Sequence, residues 1–492
     1  MKRRDAIGVL DLGASGGRFF AATIHDRKLL LEEIHRFAHS PIELWEYGTE
    51  GRQPQFHPCW DLYAIWRNLL EGLRKIATRD DLRLISFALD TWGSDGAWMT
   101  ADGDMLHPIA TGRDPRWSRA REEIQQQISP EALFQTTGLQ SHPFNVLNQI
   151  HWYVHHQPKL VEAAATYLPI NGLLNYFLTG QRVAEYTWIS TTQLCPATQM
   201  QYDRHLFTQL QLPLEKMPPL VAPGTSLGRC CSEIAARCGL EPFEVIATAT
   251  HDTACAYTAA PIDSYKPAFI VSTGTWFLAG VITKTPIITH DAFVAGFANE
   301  GGVEGVRFLK NILGMWPLQE LRRQWTYQDG SEMLWDTMND LALAATPCAY
   351  KLDLTDARLF APVNMEQVVM AVCRDFGPAP ANRAQMVRGL YEALALSVAQ
   401  TAKLAEKLSG IHLREIIILG GCARNRVLCQ WIADASGLLV RAAHPDATAC
   451  GNAMVQAKTL GWINSLVEGR RMLEQATACK VFEPHPNNKN IL

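Results

Sequence analysis

The sequence predicts an α/β protein of two similar domains opposed across a cleft. Three observations lead there. A chain of 492 residues is too long for a single core. Its apolar runs alternate between strand-like and helix-like periods, the pattern of a mixed sheet with helices on its faces. One pattern also occurs twice, over residues 9–20 and 269–280: an apolar strand meets a small polar turn, and a second apolar strand departs from it.

The elements follow in order. Residues 6–10 read as a strand ending in Asp11, residues 13–18 as a glycine-rich turn, and residues 19–24 as the returning strand. A third strand over 29–35 follows the turn His25-Asp26-Arg27. A helix is expected over 61–77, because Leu62, Ile65, Trp66, Leu69, Leu73 and Ile76 fall at steps of three and four. A strand over 84–89 ends in Asp90-Thr91-Trp92-Gly93-Ser94-Asp95, and a short strand over 97–100 reaches the turn at Asp102-Gly103. Residues 132–220 read as mostly helical, and a Pro- and Gly-rich joint over 213–228 leads to a strand over 245–249 that ends in His251-Asp252-Thr253. In the second block the strand pair around 269–280 is followed by a long helix over 383–408 that stops at Ser409-Gly410. A strand over 415–419, the turn Gly420-Gly-Cys-Ala-Arg-Asn425 and helices over 426–435 and 449–460 close the pattern. The polar segment from Glu483 reads as loosely ordered.

Composition narrows the function. A formal net charge of −4 argues against a nucleic-acid or membrane-surface binder. No apolar run is long enough to span a bilayer, and Asp11 interrupts the first one too early for a signal peptide, so a cytoplasmic protein is expected. The 12 cysteines, many of them inside apolar segments, lack paired C-x-x-C spacing and read as reduced thiols.

The chemistry is concentrated at strand ends. The tip formed by Gly13, Ala14, Ser15, Gly16 and Gly17 can wrap a phosphate chain with backbone N–H groups while Asp11 stands near its metal. It lacks the Gly-Lys-Ser/Thr ending of a P-loop, and taken alone it reads equally as a plain surface hairpin. Thr273-Gly274-Thr275 repeats the tip in the second block. Phosphoryl transfer to a hydroxyl also needs a base at the acceptor, and Asp252, at the end of an apolar strand, is the candidate. Its competing reading is a helix N-cap. Asp90 and Asp95 flank Trp92-Gly93, a combination suited to hydrogen-bonding and stacking a sugar, although a strand-end turn with a core tryptophan has the same composition. Asn299-Glu300-Gly301-Gly302 and Lys310-Asn311 form another polar cluster.

Taken together, Asp11-Leu-Gly-Ala-Ser-Gly-Gly-Arg18, Asp90-Thr-Trp-Gly93, His251-Asp-Thr253, Ser272-Thr-Gly-Thr-Trp276 and Gly420-Gly-Cys-Ala-Arg-Asn425 resemble the FGGY carbohydrate kinases over residues 6–460. The resemblance implies two actin-like, ribonuclease-H-like domains: 1–255 for sugar and phosphate, 256–470 for nucleotide, and 471–492 as a tail. It implies that Gly13, Ala14, Ser15, Gly16 and Gly17 bind ATP phosphates and that Thr275, Gln319 and Gly421 line the nucleotide site. Gly93, His251, Asp252, Thr253 and Asn311 would contact the sugar, Asp252 would be the catalytic base, and Asp11 would hold Mg2+ through water. The implied reaction moves the γ-phosphate of ATP to the O1 hydroxyl of a ketose.

His35-Arg-Phe37, Pro143-Phe-Asn145, Glu185-Tyr-Thr187, Thr191-Thr-Gln-Leu194, Asn299-Glu-Gly-Gly302 and Leu309-Lys-Asn-Ile312 look most like kinases of L-rhamnulose. L-fuculose or a pentulose is the alternative substrate, and an actin-like ATPase or a non-catalytic sugar-binding regulator the alternative function. The expected partners are ATP and a small ketose, with neither nucleic acid nor membrane, in a monomer or homodimer. Three positions depart from the family pattern: Cys422 stands in place of a third glycine, Asn171 in place of an acid, and Gly96 in place of a bulkier residue.

Overall fold

Two mixed sheets carry the chain, and they are built alike. In the first, the strand Arg4–Gly13 turns through Ala14 and Ser15 into Gly16–His25, which turns again into Lys28–Ala38. Arg4–Gly13 pairs in parallel with Leu82–Thr91, and that strand pairs in parallel with Glu244–Ala247. In the second, Ala268–Thr273 turns through Gly274 and Thr275 into Trp276–Thr283, which pairs with Val306–Leu313. Ala268–Thr273 pairs in parallel with Glu415–Gly420, and that strand in parallel with Leu439–Ala442. The repeat seen at 9–20 and 269–280 is therefore a repeat of sheet topology. The structure is a computed structural model that describes residues 3–47, 54–262, 267–347, 352–360 and 362–485.

Each sheet is covered on its outer face by helices with a single apolar stripe. Helix Leu62–Ala77 buries Leu62, Ile65, Leu69, Leu73 and Ile76 against the first sheet, and Asp61 caps it by accepting from the Ala64 amide at 3.0 Å. Helices Arg383–Ser409 and Arg426–Ser436 cover the second sheet, and each stops at a left-handed glycine, Gly410 and Gly437.

The inner faces of the two sheets share one core. Ile7, Val9, Phe20 and Ala22 of the first sheet and Ile270, Leu309, Ile417 and Leu419 of the second pack around two helices, Asp252–Thr258 and Ala447–Thr459. The second of these is lined with small residues because it is crowded on every side. A Cβ added at Gly451 would overlap the carbonyl oxygen of Cys255 in the facing helix. Polar pins tie this helix to the first sheet: Gln456 Nε2 donates to the Gly8 carbonyl at 3.0 Å, and Ser86 Oγ donates to Gln456 Oε1 at 2.8 Å.

Three segments differ from the sequence reading. Strands Pro41–Glu46 and Gln55–Trp60 form an added hairpin, with Trp45 and Phe56 packed on each other at 4.8 Å on an exposed face. Helix Leu466–Ala476 buries Leu466, Met472 and Leu473, and Lys480–Phe482 pairs with Leu439–Ala442. Residues 471–482, expected in the tail, are thus part of the folded body: the helix packs into the shared inner core against Lys28–Ala38 and Ala447–Thr459, and Lys480–Phe482 extends the second sheet. Of the segment expected to be loose from Glu483, residues 483–485 are described, with the His485 amide donating to Asp434 Oδ1 at 2.9 Å; 486–492 lie outside the described residues.

Among the described residues no helix is long and apolar enough to cross a membrane. Cys230 and Cys231 are free thiols, as are the buried Cys255, Cys422, Cys429 and Cys450.

The contact at Gly451 gives a test. Gly451→Ala must separate the two central helices, and overpacking of this kind costs about 1–3 kcal/mol. The expected outcome is a lower urea midpoint with an unchanged slope; an unchanged midpoint would show that the helices are not in contact.

Candidate functional site

The parallel pairing of Arg4–Gly13 with Leu82–Thr91 places Asp11 directly beside Asp90. The segment after Glu244–Ala247 continues along the same strand end, with the Thr91 amide donating to the Thr250 carbonyl at 2.9 Å. This register brings Asp252 to the same rim. Three carboxylates from three chain segments therefore sit close together: Asp11 and Asp252 both raise the proton affinity of Asp90, and Asp11 raises that of Asp252.

Each carboxylate is managed differently. Asp11 accepts from Arg18 at 2.6 Å, yet burial outweighs that cation and moves its carboxyl above the ordinary range. Arg18 also pairs with Asp446, the cap residue of helix Ala447–Thr459, so the first hairpin is tied to the second half of the chain. Asp90 is fully buried; Asn452 Nδ2 donates to its Oδ2 at 2.7 Å, while its Oδ1 has no partner among the described residues. Burial first and Asp11 second push its carboxyl well above the usual range. Asp252 is pushed up to about 6, chiefly by burial, with Thr253 opposing the shift. Its side chain is 34% exposed.

Asp252 is not the N-cap of its helix. His251 occupies the cap position and makes no side-chain capping bond, and Asp252 is the first helical residue. Its Oδ1 accepts from the Thr253 amide at 2.5 Å and from Thr253 Oγ1 at 3.0 Å, and His251 Nε2 lies 3.3 Å from the same oxygen. Thr253 is buried and its hydroxyl is engaged by Asp252, so it orients that carboxylate. His251 is buried against Gly93: a Cβ there would stand 3.0 Å from His251 Nε2 and 3.0 Å from Thr191 Oγ1.

The glycines of the first tip have a packing origin. A Cβ at Gly16 would lie 2.6 Å from the Phe37 carbonyl, and one at Gly17 would overlap the Phe37 ring. Strand Lys28–Ala38 thus requires glycine at both positions, and neither adopts the left-handed conformation. Ala14 and Ser15 are exposed at the tip, and the Gly13 carbonyl pairs with His39 Nε2 at 2.8 Å.

Next to the carboxylates lies an aromatic wall. Trp60 and Trp92 stand 4.2 Å apart, with His39 at 5.6 and 5.9 Å from them. Asp95 holds this wall: it is buried, and it accepts from Trp60 Nε1 at 2.7 Å, Trp92 Nε1 at 3.1 Å and Gln149 Nε2 at 2.9 Å. Both its oxygens are engaged, which corrects the reading of Asp95 as a group presented to sugar hydroxyls. Its φ of 79° lies in the left-handed region that aspartate tolerates better than most residues.

Two departures from the family pattern have local causes. Asn171 is buried behind His251 and donates to Thr250 Oγ1 at 2.5 Å. The acid at this place is Glu185, which accepts from the Thr250 amide at 2.9 Å, Thr250 Oγ1 at 2.8 Å and Thr187 Oγ1 at 2.6 Å. A bulkier residue at Gly96 would meet the Leu168 carbonyl at 2.5 Å, because Gly96 pairs with Pro169.

The second hairpin gathers the remaining positions. Thr275 Oγ1 lies 3.2 Å from Gln319 Oε1. Thr273 Oγ1 donates to the Leu419 carbonyl at 2.5 Å and accepts from the Cys422 amide at 3.1 Å, which fixes the turn carrying Gly421. Gly421 is exposed with open space around it, whereas the Cys422 side chain is buried in the second core, so the cysteine leaves the open face unchanged. Asn311 is exposed on Val306–Leu313 and, among the described residues, makes no polar contact with the Asp252 group.

Sequence reasoning passed over two residues here, Arg307 and Asn452, and named Glu185 only within the string Glu185-Tyr-Thr187, with no role for its carboxylate. The signal for Arg307 was a charged residue in the apolar run Val306–Leu313; Asn452 carried none beyond its polarity.

Among the described residues, no three His, Cys, Asp or Glu side chains could hold a metal by themselves. The unpartnered Asp90 Oδ1 beside Asp11 is nevertheless a hard-oxygen pair of the kind that suits a hydrated divalent ion completed by phosphate oxygens.

Comparison with known proteins agrees with this geometry. Residues 7–258 match the N-terminal domain of the FGGY family of carbohydrate kinases, and residues 269–460 match its C-terminal domain. The rhamnulokinase of Bacteroides thetaiotaomicron is 35% identical over 477 residues, 96% of this chain and 95% of that protein. The rhamnulokinase of Bacillus subtilis is 32% identical over 485 residues, 98% and 96% of the two chains. Among solved structures, a gluconate kinase of Lactobacillus acidophilus superposes with a TM-score of 0.79 at 16% identity, over 99% of this chain and 95% of that one. A xylulose kinase of the same organism gives 0.78 at 15% identity, with the same coverage. Two sheets of like topology, with a carboxylate cluster at the strand ends of the first, are in keeping with such a kinase, and the chain belongs to the FGGY family of carbohydrate kinases, ATP-dependent sugar phosphotransferases built from two actin-like domains.

Proposed function

We propose that this kinase transfers the γ-phosphate of ATP to the O1 hydroxyl of L-rhamnulose, with Asp252 as the base. The observation that carries the reading is the position of Asp252: a partly exposed carboxylate raised to about 6, at the start of a helix lying between the two sheets. The choice of sugar is supported by rhamnulokinases aligned along nearly the whole of both chains.

The chain's own residues divide the work. Thr253 and His251 crowd Asp252 Oδ1, so Oδ2 is the oxygen that takes the proton from O1 as the phosphoryl group arrives. A base near 6 is ionised at neutral pH and still basic enough to help. Gly13, Ala14, Ser15, Gly16 and Gly17 offer backbone N–H groups to the ATP phosphates, while Thr275, Gln319 and Gly421 line the nucleotide from the opposite side. Gly93, His251 and Asn311 bound the sugar, and the Trp60–Trp92 wall gives an apolar face for its C–H groups. Asp11 and Asp90 would hold Mg2+, Asp11 through water, and that ion would supply charge neutralisation for the phosphates. Closure of the halves over the crevice would exclude water from the transfer.

Three outcomes test the proposal. In a panel of L-rhamnulose, L-fuculose, L-xylulose, D-xylulose, L-ribulose and glycerol, kcat/KM is highest for L-rhamnulose in a coupled ADP assay; a higher value for another sugar reassigns the substrate. Asp252→Asn lowers kcat by about 10²–10⁴ while sugar binding measured by calorimetry persists, and unchanged turnover removes Asp252 from the role. The active form of Asp252 is the ionised one, so activity is present above its raised pKa and is lost as pH falls through about 6. A profile of kcat/KM that stays flat to pH 5 contradicts the assignment.

A further inference from the structure

Arg307 is one of the most deeply buried charged groups in the protein, 1% exposed on strand Val306–Leu313. Burying a guanidinium is costly unless each donor has a defined partner. Its partners here are specific. Nε donates to the Gly301 carbonyl at 3.0 Å and Nη2 lies 3.1 Å from His251 Nδ1, while Nη1 is paired with Glu300 Oε2 at 2.9 Å by charge alone, without hydrogen-bond geometry. We propose that Arg307 is a positioning residue whose guanidinium holds His251 in the tautomer protonated on Nε2, which makes that nitrogen a fixed hydrogen-bond donor toward Asp252 and the bound sugar.

The chemistry of the groups dictates the tautomer. A guanidinium only donates and does not lose its proton in proteins, so the nitrogen facing it must accept. His251 Nδ1 therefore presents its lone pair, and the ring proton resides on Nε2. The alternative is a proton on Nδ1 donated to Glu300 Oε2. That oxygen is 3.6 Å away, beyond hydrogen-bond reach, and the proton would point at the cation. Burial and the Arg307 charge both hold the ring neutral, so a single proton has to be placed.

The groups facing the ring from each packed element are few. Glu300 comes from Ala298–Gly301, Arg307 from Val306–Leu313 and Asp252 from the ring's own helix. Thr187 accepts from the His251 amide at 3.5 Å, and Thr191 and Gly93 stand on the Nε2 side. Because position 93 has no side chain, Nε2 is left facing the rim, 3.3 Å from Asp252 Oδ1. With its proton on Nε2 the ring stabilises the ionised carboxylate. With its proton on Nδ1 it would set a lone pair against that oxygen.

The inference rests on Asp252 being the base, but its first test does not involve turnover. In the full chain labelled with 15N-histidine, long-range 1H–15N correlations at neutral pH report which nitrogen of each ring is protonated, and His251 is assigned by the signals missing from His251→Asn. The expected result is a protonated Nε2 and a bare Nδ1; a protonated Nδ1, or averaging between the two, overturns the proposal whatever the sugar.

The second test is kinetic. Arg307→Met lowers kcat by about 10–100-fold, the usual effect of removing a residue that orients a functional histidine, and leaves the KM for ATP unchanged. Losing the cation also raises the Asp252 pKa, so the acid limb of the pH profile moves upward from about 6. Arg307→Lys, which keeps a charged donor, restores part of both effects. The paired variant Arg307→Met/Glu300→Gln removes the stranded carboxylate, so that a folded protein is available for the measurement. A variant that lowers the melting temperature but keeps the wild-type limb would make Arg307 a structural residue only.

Discussion

The contact between helices Asp252–Thr258 and Ala447–Thr459 governs the rest of the molecule. The two lie between the sheets and meet where Gly451 faces the Cys255 carbonyl, a distance that only glycine allows. That closeness sets how far apart the sheets stand. It also sets the start of the first helix, which is where Asp252 sits. The small residues along Ala447–Thr459 are thus a spacing device as much as a core.

Electrostatics at the site follows from the same geometry. Parallel strands in register put Asp11 and Asp90 side by side, and the third carboxylate arrives on the neighbouring segment. Burial raises all three, and the cation in contact with one of them, Arg18, also pairs with Asp446 of the second half. The site therefore holds more latent negative charge than its cations offset, a state suited to one that takes up a divalent cation with its nucleotide.

Much of the fold was legible in the sequence, and for identifiable reasons. The two hairpins, the helix over 61–77 and the long helix from 383 have strong periodicity and ordinary caps, and each appears within a few residues of its expected bounds. The strand pair Pro41–Glu46 and Gln55–Trp60 was not legible, because Ile42, Leu44, Trp45 and Phe56 are exposed and the strands follow no core-facing alternation. Lys480–Phe482 was missed because a three-residue strand leaves no period to read. At the site, Asp252 was legible from its place after an apolar strand, but its partners were not. Asp95 looked like a sugar contact until its indole donors were seen, and Asn171 until Glu185 was found beside Thr250. Arg307 is distant in sequence from His251, and only the register of the second sheet brings them together.

The path of the chain bears on how the protein is made. The inner face of the first sheet, with Ile7, Val9 and Phe20, is covered by residues that the ribosome adds more than four hundred positions later. During synthesis that apolar face emerges early, gains only helix Asp252–Thr258 as cover from the first half of the chain, and is completed when helix Ala447–Thr459 has left the exit tunnel. The first half of the chain cannot complete its core as an independent unit, and for most of its translation it presents a surface of the kind that chaperones bind.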